Sequence, residues 1–449
     1  MHIRFGTDGV RGEANSVLTV ETALALGRAA ARVFPTAKVV IGRDTRRSGP
    51  MLELAVAAGV CAEGADAVLL GIVPTPAVAA VSASQQITGV MISASHNPFD
   101  DNGIKLFAPG GRKLSDAEQA QVEAALEQLL ESGPHVGPVG ALVGNVVQGD
   151  AQFYEQYLDS IAAVIEGRSL SGLKVVLDCA NGSNYLLGPM LFERLGVELC
   201  VLANQPDGLN INHECGSTSV SALSAQVLAE GADLGIAFDG DADRLLAVDA
   251  SGQVVDGDHI IALCAMDLSA RSKLAHNTVV VTVMSNLGFL QSMQRAGIAV
   301  VQTAVGDRNV LQALAEGKFS LGGEQSGHII FADHSTTGDG LLGAVVLLDL
   351  LSRAGRPLAE LSQEAMTRMP QVLLNVSVPF PMPEVATLLF AELATAEAEL
   401  GDTGRVLLRP SGTEPLVRVM VEAEHSSDAQ RIAEQLVRAV RELAGAEQV

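Results

Sequence analysis

Val90-Met91-Ile92-Ser93-Ala94-Ser95-His96-Asn97-Pro98 is an apolar run that breaks into a polar loop, and the surrounding chain is read outward from it. Residues 87–92 have the length of a strand, and the loop beyond presents a serine beside a histidine. Residues 38–41 and 67–72 read as further strands, with a helix over 51–63 between them. Strand-length apolar runs keep alternating with amphipathic helix-length stretches from Val20 to about Ala365, the pattern of βα units and largely parallel sheets. In such sheets ligands gather beyond the carboxyl ends of strands, where the Ser95 loop lies.

The 449 residues exceed one ordinary core and imply roughly three or four domains at about 100–150 residues each. Ser115-Asp116-Ala117-Glu118 is a capping box, followed by Val122, Leu126, Leu129 and Leu130 at helical spacing and closed by Gly133. The breaker-rich stretch 133–140 then marks a linker. A second domain holds a helix near 153–165, strands at 174–177 and 233–238, and a hairpin over 245–255 turning at Ser251-Gly252. The alternation repeats from Thr278. Beyond Arg368, prolines 370, 379, 381 and 383 and a final amphipathic helix over 429–443 suggest a smaller α+β domain. The expected domains are therefore α/β over 1–147, 148–255 and 256–368, with α+β over 369–449. The 45 glycines and 3% aromatic content suit helices packed closely on parallel or mixed sheets.

A formal net charge of −23 argues against nucleic acid, which needs a basic stripe to displace counterions. Small phosphorylated ligands remain open to it, because a few focused cations outweigh distant charge screened over about 8–10 Å. Cys61, Cys179, Cys200, Cys215 and Cys264 are scattered and odd in number, suggesting neither disulfides nor a zinc site and fitting a reducing cytoplasm. Met1 to Gly6 runs straight into a glycine-rich loop, so no secretion signal is expected. The apolar run 343–348 is broken by Asp349 and is too short for a membrane span.

Phe238-Asp239-Gly240-Asp241-Ala242-Asp243-Arg244 also follows a strand, and its carboxylates alternate at period two, so a persisting strand would point them one way. At about 4 Å and an effective dielectric near 20, each like-charged pair costs roughly 4 kcal/mol, so convergence is sensible mainly around a hard cation. Mg²⁺ is favoured over Ca²⁺, because a calcium loop counted from Asp239 requires glycine where Arg244 stands and an acid where Ala250 stands. A solvated acidic turn is the bland alternative. Arg244 would serve a phosphate or orient a carboxylate.

Ser95 alone reads equally as a polar turn residue. Its neighbours add to that: His96 is a titratable donor, Asn97 precedes Pro98 and so favours extended geometry, and Lys105 follows in Asn102-Gly103-Ile104-Lys105. Phosphoryl transfer needs in-line geometry, charge neutralisation and an acceptor for the attacking hydroxyl's proton. Lys105 is the candidate base, helped by Arg11 and a metal and opposed by nearby phosphates. Ser93→Ala is expected to be mild and so to serve as the control for Ser95→Ala. Gly322-Gly323-Glu324-Gln325-Ser326-Gly327-His328 gathers a carboxylate, an amide, a hydroxyl and an imidazole among glycines, which suits adjacent sugar hydroxyls. Arg409-Pro410-Ser411-Gly412-Thr413-Glu414-Pro415 with Arg418 gathers hydroxyls, backbone donors and guanidinium groups for a phosphate. Taken alone, each of these two stretches also reads as an ordinary turn.

Together the four loops, in this order and over essentially the whole chain, resemble the α-D-phosphohexomutase superfamily, as does Phe5-Gly6-Thr7-Asp8-Gly9-Val10-Arg11-Gly12. The resemblance implies four domains around a central cleft, three alike and a distinct fourth. It implies that Ser95 is a phosphoserine and that Asp239, Asp241 and Asp243 hold one Mg²⁺ with its phosphate. Arg11, His96, Lys105 and Arg244 match positions around the transfer site. Glu324, Ser326 and His328 would grip the sugar, and Arg409, Ser411, Gly412, Thr413 and Arg418 the nonreacting phosphate.

The implied reaction interconverts glucosamine 6-phosphate and glucosamine 1-phosphate. Phospho-Ser95 donates its phosphoryl group, and the resulting 1,6-bisphosphate turns over and returns its 6-phosphoryl group. The implied partners are a hexosamine phosphate substrate and a 1,6-bisphosphate, as intermediate and activator. Neither nucleic acid nor membrane is expected, and a homodimer is left open. The rivals are a phosphomannomutase or phosphoglucomutase on the same scaffold, a noncatalytic sugar-phosphate sensor and a simple phosphatase.

Overall fold

The computed structural model describes residues 9–131, 137–410 and 415–446. Phe5 to Asp8, Gly133 with the head of the linker, and Ser411, Gly412 and Thr413 lie outside the described residues. The chain forms two compact units, one from Met1–Met284 with Ile298–Ala365, the other from Ser285–Gly297 with Met366–Val449.

Three mixed sheets build the first unit. In the largest, the strands run Val10–Glu13, Asp101–Ala108, Thr88–Ile92, Lys38–Arg43, Asp66–Ile72 and Val146–Gln148, with Arg112–Lys113 added to Asp101–Ala108. Thr88–Ile92 lies parallel to Lys38–Arg43 and antiparallel to Asp101–Ala108. Val90, Met91 and Ile92 are wholly buried, as a strand covered on both faces requires, and that explains why the sequence shows an unbroken apolar run. Helices Val20–Val33 and Gly49–Ala62 pack together through glycines. A Cβ on Gly27 would sit 2.2 Å from the Val56 carbonyl oxygen, and one on Gly59 2.1 Å from that of Leu24. Leu26, Leu52, Val56 and Ile41 close the core beneath them, each contributing about 1.5–3 kcal/mol by burial. The capping box forms as read: Ser115 N–H donates to Glu118 Oε2 at 2.9 Å at the head of the helix Asp116–Glu131.

The second sheet runs Val254–Val255, Leu245–Asp249, Leu234–Phe238, Lys174–Asp178 and Glu198–Leu202. Its hairpin turns where Asp249 Oδ1 accepts from Ser251 N–H at 2.8 Å and Gln253 N–H at 3.1 Å. The third runs Ala299–Thr303, Thr278–Thr282, Leu321–Gly323 and Ile329–Phe331.

The second unit has an antiparallel sheet, Gln371–Ser377, Leu416–Ala423 and Gly404–Pro410, with the helix Ser426–Ala446 packed on it. This is the α+β arrangement that the change of pattern after Arg368 suggested. The helix Leu287–Arg295 also belongs to this unit although it precedes the sheet by some eighty residues. Among the described residues, no helix is long and apolar enough to cross a membrane.

Candidate active site and metal centre

Ser95 lies just beyond the carboxyl end of Thr88–Ile92, where the buried strand gives way to a tight turn. Its φ is +54°, a left-handed conformation that costs a serine roughly 1 kcal/mol or more and must be held by its surroundings. Ser93 N–H donates to Gly103 O at 3.0 Å, Asn97 N–H to Ala94 O at 3.1 Å, and Ser95 N–H to Ser93 Oγ at 3.0 Å. Only 2% of Ser95 is exposed. Its hydroxyl donates to Asp239 Oδ2 at 2.5 Å and lies 3.4 Å from His96 Nδ1.

The carboxylate loop reaches it from the second sheet. The strand Leu234–Phe238 ends one residue before Asp239, so the period-two argument does not account for the convergence. A turn does: Ala242 N–H donates to Asp239 O at 3.0 Å, and Ala242 is itself left-handed with φ +56°. The turn brings one oxygen of each of Asp239, Asp241 and Asp243 within 4.8 Å of the others, all three residues being buried. Asp241 Oδ1 and Asp243 Oδ1 are buried without a hydrogen-bond donor among the described residues. Three hard, converging carboxylates, two of which keep a buried oxygen without a donor, fit a divalent cation of the Mg²⁺ or Ca²⁺ kind. Burial and the neighbouring Asp243 and Asp241 charges raise Asp239 well above the ordinary carboxylate range. For Asp243 burial pulls the same way, but Lys105, His328 and Arg244 outweigh it and hold the group well below that range.

Cations from several elements meet this loop. Lys105, on Asp101–Ala108, places Nζ 2.7 Å from Asp241 Oδ2 and 3.5 Å from Asp243 Oδ2. Arg244 Nε is 3.8 Å from Asp243 Oδ1, and the Arg244 N–H donates to Asp239 Oδ1 at 3.2 Å. His96 is pushed down to about 4 by burial and by the positive charges of Arg244 and Arg11, so its imidazole is neutral near pH 7. Arg11 is exposed and donates to Asn97 Oδ1 at 3.2 Å.

Glu324 is half-buried and Ser326 exposed at the end of Leu321–Gly323, and the loop closes with Glu324 N–H donating to His328 O at 3.0 Å. Glu324 Oε1 accepts from Gly306 N–H at 3.2 Å. His328 is buried against carboxylates instead of opening outward: Nδ1 is 3.6 Å from Asp243 Oδ1 and Nε2 3.5 Å from Asp307 Oδ2. Burial alone would lower its pKa, but Asp243 outweighs this and raises it. In the second unit Arg409 and Arg418 face one another across adjacent strands. Burial and Arg418 lower the Arg409 pKa, and like charges in this register destabilise a sheet unless an anion answers them.

Thr75, Asp44, Arg46 and Asn212, which the sequence reading did not mark as functional, join the site. Thr75 Oγ donates to Asp241 Oδ2 at 2.6 Å, and Ser93 Oγ donates to a buried Asp44 at 2.6 Å. Arg46 and Asn212 both reach the carbonyls of the Ser95 loop. A signal for two of them was present: Gly42-Arg43-Asp44-Thr45-Arg46 concentrates charge where an apolar strand ends.

The chain matches the phosphoglucomutase/phosphomannomutase family in four parts: alpha/beta/alpha domain I over residues 2–132, domain II over 155–252, domain III over 256–369 and the C-terminal domain over 373–439. It belongs to that family. Within it, the chain is 52% identical to the phosphoglucosamine mutase of Frankia alni, over 97% of this chain and 98% of that protein. The phosphoglucosamine mutase of Pelotomaculum thermopropionicum is 50% identical over 99% and 100%. Among solved structures, a phosphoglucomutase/phosphomannomutase family protein from Burkholderia thailandensis superposes with a TM-score of 0.81 at 27% identity, covering 97% of this chain and 96% of that one.

Proposed function

We propose that the chain interconverts glucosamine 6-phosphate and glucosamine 1-phosphate, with Ser95 as the phosphoryl carrier and a 1,6-bisphosphate as intermediate. The observation that carries the reading is that Ser95 Oγ donates to Asp239 of the buried aspartate triad while Lys105 Nζ pairs with Asp241 of the same triad. The activity is supported by the phosphoglucosamine mutases that match at about half identity over nearly their whole length.

In the forward direction the Ser95 Oγ–P bond breaks and a new P–O bond forms to the C1 hydroxyl of glucosamine 6-phosphate, while the Lys105 ammonium hands a proton to the departing Ser95 Oγ and takes up the hydroxyl's proton in its place. The return step breaks the bond between phosphorus and the C6 oxygen and rephosphorylates Ser95, the Ser95 hydroxyl proton passing by the same exchange to the C6 oxygen and leaving glucosamine 1-phosphate. Arg244 and neutral His96 line the path of the transferring group, and the buried surroundings keep competing water away. Asp239, Asp241 and Asp243 would hold one Mg²⁺, which when bound supplies charge neutralisation for the phosphoryl group. Glu324 and Ser326 are the proposed sugar contacts. Arg409 and Arg418, with Ser411, Gly412 and Thr413, are the proposed seat of the nonreacting phosphate, supported by the two opposed guanidinium groups. The five free cysteines support a cytoplasmic setting.

The test is Mg²⁺-dependent turnover of glucosamine 6-phosphate beside mannose 1-phosphate and glucose 1-phosphate, primed with a trace of hexose 1,6-bisphosphate and followed by phosphorus NMR. Preference for the amino sugar is the expected result. Preference for another sugar would retain the carrier chemistry and replace the substrate.

A further inference from the structure

The left-handed Ser95 turn is braced from outside by two side chains. Arg46 is fully buried, and a guanidinium carries five N–H donors in a rigid fork. Nε donates to Asp44 Oδ2 at 2.8 Å. Nη1 donates to Asp101 O at 3.0 Å and also to Pro98 O. Nη2 donates to Ser95 O at 3.0 Å and Asn97 O at 2.8 Å. All five donors are thus used, four of them on main-chain carbonyls between residues 95 and 101.

Asn212, from the domain of the second sheet, grips two of the same carbonyls: Nδ2 donates to Ser95 O at 2.9 Å and Asn97 O at 3.1 Å. The triad's backbone is pressed into the same corner. A Cβ on Gly240 would lie 2.6 Å from Ser95 O and 2.8 Å from Asn212 Nδ2. The Ser95 carbonyl is therefore fixed by donors from both domains, directly beside the loop that carries the aspartates.

We infer that Arg46 and Asn212 are positioning residues for the phosphoryl carrier, a role that rests on the reading of Ser95 given above. By clamping the Ser95 and Asn97 carbonyls they hold the serine in its left-handed conformation and aim Oγ at the triad. Neither touches the transferred group. Asp44 keeps the Arg46 fork in place and links it to Ser93 Oγ, which receives the Ser95 N–H. A lysine at position 46 has one nitrogen and cannot span four carbonyls, so the loop would lose its aim while the charge stayed.

The experiment compares Arg46→Lys, Asn212→Ala and Ser95→Ala. Folding is checked by circular dichroism melts, and assays are run well below each melting point. Phosphorylation of Ser95 by glucose 1,6-bisphosphate is followed by intact mass, and kcat and KM are measured for glucosamine 6-phosphate. Expected for Arg46→Lys is a fall of about 100-fold in both the phosphorylation rate and kcat, as for a small misplacement of a reacting group, with KM within about threefold. Asn212→Ala should fall about 10-fold in the same two quantities, because one brace remains. A purely structural role would lower the melting point and leave these rates at wild-type values in the folded protein, which overturns the inference. If Arg46→Lys does not fold, Asn212→Ala decides alone by the same criterion. Full activity in Ser95→Ala would remove the carrier itself and the positioning role with it, whereas an inactive Ser95→Ala beside wild-type rates in the other two would remove only the positioning role.

Discussion

Lys105 Nζ stands 2.7 Å from Asp241 Oδ2, so a lysine from the first sheet answers the charge of a loop built on the second. The side chain is almost wholly buried, and its attraction to the carboxylate is correspondingly strong. Lys105→Met keeps the apolar stem and removes the charge. A fall of about 10²–10⁴-fold in kcat is expected, the range for loss of an acid–base group. Divalent-metal affinity should rise, because a cation competing for Asp241 and Asp243 has gone. Calorimetric titration with Mg²⁺ checks this second part, and weaker binding would mean that the lysine supports the metal centre instead of competing with it.

Ser93 is built into the Ser95 loop. It is completely buried, donates to Asp44 and receives the Ser95 N–H. Ser93→Ala leaves the Ser95 N–H without its acceptor and takes one donor from Asp44, which keeps Arg46, and should cost about 1–3 kcal/mol of stability. The variant should still become phosphorylated, more slowly than the wild type, whereas Ser95→Ala should not be phosphorylated at all. Thermal melts and intact mass separate the two effects, and an unchanged melting point for Ser93→Ala would count against the hydrogen-bond account.

The contrast between these serines shows what the sequence could convey. Val90 to Ile92 announced a buried strand because every residue in it is apolar, and the aspartate triad announced itself because its three members are neighbours in the chain. The strand Asp101–Ala108 was invisible to pattern, since Asn102, Gly103 and Lys105 interrupt its apolar face for reasons of function. Arg46 and Asn212 were equally hidden. They act through main-chain carbonyls some fifty and more than a hundred residues away, and no local spacing encodes that meeting.

Asp339 supplies a pH dependence of its own, to which the Asp243 charge of the triad adds. It caps the helix Gly340–Ala354, accepting from Leu342 N–H at 2.9 Å, and Tyr157 Oη donates to its two oxygens at 3.0 and 3.1 Å. Burial raises its pKa from 3.8 to about 6 despite these donors. The folded state therefore holds the proton more tightly than the unfolded chain, so this contribution is full below about pH 4 and is lost as pH rises through about 6. The loss amounts to about 3 kcal/mol. Asp339→Asn keeps the cap and the tyrosine's partner but cannot ionise. Its stability should be flatter between about pH 4 and pH 7, and higher than wild type at the upper end. Denaturant melts across that range test this, and parallel curves for the two proteins would refute it.

Glu422 accounts for the helix Leu287–Arg295 belonging to the second unit. Its wholly buried carboxylate accepts from Arg405 Nε at 2.5 Å, Asn286 Nδ2 at 2.9 Å and the Leu287 N–H at 3.0 Å. The last of these satisfies a donor in the helix's first turn, and Asn286 Oδ1 in turn accepts from Met369 N–H at 2.8 Å. The contacts tie a helix from the middle of the chain to a sheet formed near its end. Glu422→Ala leaves the Arg405 guanidinium and two N–H donors without their acceptor, so a loss of about 3–5 kcal/mol is expected. Glu422→Gln retains one good acceptor and should lose less. Hydrogen exchange supplies the decisive readout: in Glu422→Ala the amides of Leu287–Arg295 should lose protection together with those of Gln371–Ser377 and Leu416–Ala423. Protection retained in the helix while the sheet opens would show that apolar packing around Phe289 and Met293, rather than this carboxylate, anchors it.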